Sequence, residues 1–138
     1  MSITVEGRGI AKGKGSGRLL ISSEPISFLS GVDPETGIVL EENHPLQGIS
    51  IDGRVLAFPY GKGSTVGSYV MYALKKNGRA PAAIINSEAE PIIATGAIIA
   101  GIPMIDRPKT PISSLKNDVM ATVDGDEGTI IYEGVIED

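Results

Sequence analysis

The stretch PYGKGST, residues 59–65, sets one lysine and a serine–threonine pair among glycines, directly ahead of a helical pattern. A loop that opens a helix presents unpaired backbone N–H groups and the positive end of the helix dipole, so it draws anions. Gly61 and Gly63 let the backbone approach a ligand closely. Lys62 adds a full positive charge to the same mouth, and Ser64 and Thr65 add hydroxyls. Three chemistries fit these residues: holding a phosphate, moving a proton through Ser64, or simply turning the chain with Ser64 as a helix cap. A Walker-type nucleotide loop does not fit. That pattern, G-x-x-x-x-G-K-[ST], puts the lysine after its second glycine, whereas Lys62 precedes Gly63. The hydrolase elbow G-x-S-x-G is also absent, since Gly63, Ser64, Thr65, Val66 and Gly67 run in the wrong order. A serine–histidine pair would require Ser64 to meet the lone His44, which lies in a Pro-bounded turn.

Other positions carry weaker signals. Asp33, opening DPETG, either bonds its own backbone two residues on or lines a site. Asn86 and Ser87 end an apolar strand, the place where α/β folds put ligand groups. Asp124, Asp126 and Glu127 lack the spacing of a calcium loop and read as a solvated turn.

The elements that must position these residues divide into two halves. Ile3–Val5, Arg8–Lys12 and Arg18–Ile21 are short β segments bounded by glycines. The basic run AKGKGSGR, residues 11–18, reads as a solvated turn. Two Pro and Gly turn clusters follow, around Asp33–Gly37 and His44–Gly48, with GIVL (residues 37–40) as a short strand between them. From Val55 strands and helices alternate. VLAF is a buried strand, and Val66, Tyr69, Val70, Ala73 and Leu74 recur at helical spacing. That pattern predicts a helix over Thr65–Asn77 with those residues inward, closed by Lys75, Lys76 and Gly78. Ala82–Asn86 is a second buried strand. Pro91 then opens a short, buried helix that stops at Gly101, and Ile102–Ile105 is a third strand. A hairpin of Val119–Val123 and Thr129–Tyr132 ends the pattern. The expected fold class is α/β: one domain over residues 1–138, a β-rich layer able to close as a barrel against a small parallel β-α-β-α-β core.

Composition narrows the function classes. The net charge is −5 and no basic stripe is interleaved with aromatics, which argues against a nucleic-acid partner. There is no cysteine, so disulfides, thiolate nucleophiles and Cys-ligated zinc or iron–sulfur clusters are excluded within the chain. No apolar run approaches a membrane span. The N-terminal segment has a strand pattern and not the apolar core of a signal peptide. The expectation is a cytoplasmic chain with no membrane partner.

In order along the chain, SGVDPETGIV, NHPLQG, GRVLAFPYGKGSTVGSYVMYAL and GAIIAGIPMID resemble the small subunit of aconitase X-type hydro-lyases, a branch of the aconitase superfamily. The YGKGST loop is similar to the G-E-G-S-S-R-E loop of that superfamily's swivelling domain. The likeness covers roughly Ser30–Asp106 and, more loosely, the flanking strands. It implies a swivelling β/β/α domain. It also implies a two-subunit enzyme whose larger aconitase-like subunit holds a [4Fe–4S] cluster that acts as Lewis acid on a departing hydroxyl, with no cofactor bound by this chain.

By the same resemblance Ser64 is the catalytic base that takes a proton from carbon. Gly61 and Gly63 shape the loop, Lys62 activates the serine or contacts the substrate anion, and Thr65, Asp33 and Asn86 are further contacts. The archaeal branch, which is the most similar, implies a small phosphorylated hydroxy acid as substrate. There (R)-5-phosphomevalonate loses water to give trans-anhydromevalonate 5-phosphate on a route to isoprenoids. A related dehydratase acting on hydroxyprolines and a non-catalytic anion-binding module are the alternatives. One departure bears on substrate: an arginine follows the serine pair in the aconitases, and Val66 stands there here. Carboxylate recognition in the aconitase manner is therefore not expected.

A serine base needs help, because a neutral hydroxyl is a poor proton acceptor. Loop amides, helix-end N–H groups and Lys62 are the groups able to lower its pKa.

Overall fold

The computed structural model describes residues 2–62 and 66–133. In chain order its strands are β1 (Ser2–Glu6), β2 (Arg8–Ala11), β3 (Lys14–Ile21), β4 (Val55–Phe58), β5 (Ala83–Asn86), β6 (Met104–Asp106), β7 (Met120–Asp124) and β8 (Thr129–Glu133). Helix α1 (Gly67–Lys76) links β4 to β5, and α2 (Pro91–Ala100) links β5 to β6. The strands form one sheet in the order β1-β8-β7-β3-β4-β5-β6-β2. Pairing is parallel from β3 through β6 and antiparallel elsewhere. β1 and β2 lie at opposite ends of that order yet are joined by Gly7 alone, so the sheet has to curl back on itself.

Strand β3 is the join between the halves. Lys14–Arg18 pairs with β7, and Leu19–Ile21 pairs with β4. The run expected to be a solvated turn is therefore mostly strand. Its glycines explain the error: a Cβ at Gly15 or Gly17 would overlap the backbone carbonyl of Ala82 or Gly53. A glycine-rich composition that looks like a loop here marks a strand pressed onto neighbouring backbone.

The apolar runs of β4, β5 and β6 are buried on both faces, as parallel strands usually are. On one face Leu56, Phe58, Ile84 and Met104 pack against Met71 and Leu74 of α1 and Ile93 and Ala97 of α2. On the other, Val55, Ala57, Ile85 and Ile105 pack against Val5, Val123 and Ile130 of the antiparallel strands. The three layers are those of the expected β/β/α arrangement.

Three expectations are corrected, and a fourth lies outside the described residues. GIVL makes only isolated bridges, Val32 with Val39 and Ile38 with Ser50, inside a looped segment. Helix α1 buries Gly67, Met71 and Leu74, and leaves Val66, Tyr69 and Tyr72 exposed. The reading of Ser64 as the helix cap lies outside the described residues, which resume at Val66 directly ahead of the helix. Helix α2 is not wholly buried, since Ile98 and Ile99 face outward. Its limits are as expected, with Pro91 at the start and Gly101 left-handed at the stop. No helix among the described residues is long and apolar enough to cross a membrane.

Candidate active site

Phe58, Asn86 and Asp106 end β4, β5 and β6 side by side in register. The connections that leave these carboxyl ends therefore gather at one edge of the sheet. The glycine loop leaves β4 and is held on three sides. Pro59 O accepts the N–H groups of Ser87 (3.0 Å) and Glu88 (3.3 Å) from the β5 connection. Gly61 bridges Ile26 in parallel register, with Lys62 N donating to Ile26 O at 3.0 Å. Gly61 also lies against the start of α2, beside Ile93 and Glu90. Gly63, Ser64 and Thr65 lie outside the described residues.

The Lys62 ammonium sits 2.9 Å from Glu41 Oε2, with both side chains partly exposed. An incoming anion would compete with that carboxylate for the charge. Asn86 is fully buried. Its Nδ2 donates to Phe58 O at 3.0 Å, while its Oδ1 is buried with no hydrogen-bond partner among the described residues. Such an open acceptor is uncommon in a folded protein, and here it stands where β4 and β5 end. Asp33 makes the turn bond, its Oδ1 accepting Glu35 N–H at 2.9 Å.

His44 is buried and acts as a strut. Its Nδ1 accepts Leu46 N–H at 3.0 Å, so Nε2 carries the proton that meets Pro25 O at 3.1 Å. Both ring nitrogens are occupied, which leaves none for a serine. Beside the loop, a cleft of about 480 Å³ is lined by Ser22, Ser23, Pro59, Ser87 and Ser113, at the carboxyl ends of β3, β4 and β5. Open parallel sheets bind ligands at such a crevice.

Sequence reasoning missed two features of this edge. Glu90 caps α2, accepting from Ile92 N (3.0 Å) and Ile93 N (2.6 Å). The dipeptide Glu90-Pro91 carried that signal, because proline favours the first helical position after a cap. The second is a charge network. The fully buried Asp106 takes a two-pronged bond from Arg8 (2.8 and 2.7 Å) and the Ala89 N–H (2.8 Å), while Arg107 grips Glu88 (2.7 and 2.9 Å). Arg8 and Asp106 are 98 residues apart, so no local pattern betrays them.

Burial pushes the Asp106 carboxyl up. The Arg8 hydrogen bonds, the Ala89 N–H and the charges of Arg8 and Arg107 outweigh it and hold the group below its ordinary 3.8. The Arg107 hydrogen bond holds Glu88 below its ordinary value as well. A carboxyl with a lower pKa folded than unfolded stabilises the fold above its unfolded value. That stabilisation is lost as pH falls through the folded value. Asp106→Asn is expected to cost about 2–3 kcal/mol at pH 7, the worth of hydrogen bonds to a charged group whose partner stays half in water. In urea titrations the gap between variant and wild type should narrow steadily as pH drops below about 4. A pH-independent gap would show that the Asp106 charge contributes nothing.

The residues that sequence reasoning selected thus fall into two groups. Gly61, Lys62 and Asn86 meet at one strand edge, and Asp33 closes a separate turn.

Comparison with known proteins bears on this arrangement. Residues 4–132 match the family described as the Aconitase X swivel domain. A Methanosarcina acetivorans protein named phosphomevalonate dehydratase small subunit is 60% identical over 129 residues, covering 93% of this chain and 90% of the relative. A protein of the same name from Thermococcus onnurineus is 58% identical, covering 94% and 98%. The crystal structure of Thermococcus kodakaraensis aconitase X in its holo form superposes with a TM-score of 0.91 at 52% identity, over 96% of this chain and 99% of the matched chain. Matched by the family over residues 4–132 and by close relatives over nearly its whole length, this chain belongs to the aconitase X swivel-domain family.

Proposed function

We propose that this chain is the small subunit of a two-chain hydro-lyase that dehydrates (R)-5-phosphomevalonate to trans-anhydromevalonate 5-phosphate in the cytoplasm. The whole chain, residues 1–138, would act as one swivelling unit. One observation carries the reading: relatives named phosphomevalonate dehydratase small subunit are 54–60% identical across more than nine-tenths of this chain. Alignment at that level and length favours a shared substrate over a merely shared fold.

In this reading Ser64 removes the proton from carbon. The electron pair of the broken C–H bond becomes the new double bond, and the hydroxyl on the adjacent carbon leaves with its bonding pair as hydroxide. The hydroxide takes a proton from solvent to become water, and Ser64 returns its proton to solvent. Gly61 and Gly63 shape the loop, and Lys62 provides positive charge for the serine alkoxide or the substrate anion. Thr65 and the open Oδ1 of Asn86 offer polar contacts at the same edge, and Asp33 is a more distant candidate. Departure of the hydroxyl calls for a Lewis acid. This chain has no cysteine, and no group of His, Asp and Glu among its described residues could hold a metal. Its residues do not fit an iron–sulfur cluster, and the proposed enzyme carries its [4Fe–4S] cluster on the larger subunit.

The test is anaerobic co-expression with the larger aconitase X chain of the same genome. The complex, and neither chain alone, should convert (R)-5-phosphomevalonate to the anhydro product. A complex that forms and leaves this substrate untouched while dehydrating a hydroxyproline would overturn the substrate assignment. Turnover by the small chain alone would overturn the division of labour.

A further inference from the structure

The outward face of the two helices is apolar where a solvent-facing layer would normally be charged. Tyr69 and Tyr72 stand one turn apart on α1, 73% and 49% exposed, and Ile98 and Ile99 on α2 are 60% and 61% exposed. Helix α2 contains no charged residue from end to end. Between the helices runs a groove of about 370 Å³ lined by Ser68, Tyr69, Tyr72, Thr95 and Ile99. Scattered exposed apolar residues are ordinary, but a contiguous patch with two tyrosines and a groove has the composition of an interface core. Lys75 and Lys76 flank it at the end of α1, exposed and without an ion pair among the described residues. They supply the charged rim.

We infer that this α1–α2 face is the docking surface for the larger subunit, an inference that rests on reading the chain as a small subunit. The occupant is argued from continuity. Val66, Tyr69 and Tyr72 recur every third residue, so one stripe of α1 leads from the end of the glycine loop to the groove. Val66 is 45% exposed and directly follows Thr65 in the chain. A subunit that brings its substrate to Ser64 must cover that first turn, and the same contact continues up the stripe. The partner's matching surface is an aliphatic or aromatic ridge that fills the groove, bordered by carboxylates opposite Lys75 and Lys76.

Ile99→Glu, and separately Thr95→Arg, place a charge in the groove at exposed positions. Each variant, co-expressed with the larger aconitase X chain, should bind it at least tenfold more weakly than wild type in sedimentation titrations. The isolated variants should keep the wild-type melting temperature, and Ser64→Ala should assemble normally. Wild-type affinity in both groove variants would overturn the inference. So would an isolated wild-type chain that dimerises through this face, with Ile99→Glu breaking the homodimer and sparing the heterocomplex. A wild-type chain that binds no larger subunit under any condition would overturn the functional reading together with the docking surface. Loss of assembly confined to the groove variants is the expected result.

Discussion

Ser64→Ala should lower turnover of the assembled enzyme by about 10²–10⁴-fold, the usual worth of a positioned general base, with KM changed only a few-fold. A base acts as the proton moves, so its removal lowers kcat and kcat/KM together and leaves ground-state binding largely intact. The rival reading, a helix cap, would instead cost about 0.5–2 kcal/mol of stability. Ser64 lies outside the described residues, so stability and turnover have to separate the two roles. A serine that acts as base and caps nothing leaves the variant's melting temperature equal to the wild type's. A stable variant with full turnover would remove Ser64 from the mechanism. An unstable one with normal turnover per folded molecule would restore the cap. The 2.9 Å pairing of Lys62 with Glu41 shapes the expectation further. A neutralised lysine contributes less to lowering the serine pKa than a lone one, because the two fields largely cancel beyond a few ångströms. In the proposed mechanism, backbone donors and water exclusion on assembly would then carry more of the alkoxide stabilisation.

What was legible in the sequence follows from where the physical signal is local. Val55–Phe58 and Ala83–Asn86 read as buried strands because a strand covered on both faces must be apolar at every position. Pro91 and Gly101 bounded α2 for equally local reasons. Helix α1 was placed well, but its face only in part: Leu74 is buried and Val70 packs on the core as expected, whereas Val66 and Tyr69 are exposed. Periodicity marks apolar stripes without saying which one is inside, and α1 has two. The inner stripe rests on Gly67, Met71 and Leu74, while the more conspicuous Tyr69 and Tyr72 point out. GIVL has strand composition, yet its neighbours at Val32 and Ser50 supply only single bridges. The glycine loop stood out as a candidate site because its residue types are few and specific. Its anchors did not. Ile26, Glu41, Glu90 and Ile93 meet it through the tertiary fold, at separations no spacing rule reaches.

Gly61→Ala should disable the enzyme almost as thoroughly as loss of the base, without touching the serine. A Cβ at this position would overlap Ile93 Cγ1 and come within 2.7 Å of Ile93 Cδ1 and 2.8 Å of Glu90 Oε1. Neither neighbour can yield cheaply. Ile93 is 1% exposed in the helix-side core, and the Glu90 carboxylate is committed to the N–H groups of Ile92 and Ile93. The loop must move instead, straining the 3.0 Å bond from Lys62 N to Ile26 O and the Lys62–Glu41 pair. Overpacking of this kind costs about 1–3 kcal/mol of stability. A displacement near 1 Å of a catalytic loop costs about 10²-fold in rate. Both losses should appear, the first as a lower urea midpoint of the isolated chain and the second in kcat of the complex. The second substitution Ile93→Ala opens the space that Cβ needs. The double variant should be more stable than the sum of the single costs, by a coupling of about 1 kcal/mol, and should regain part of its turnover. Strict additivity would mean that the loop does not rest on α2, and that the position of the serine is set elsewhere.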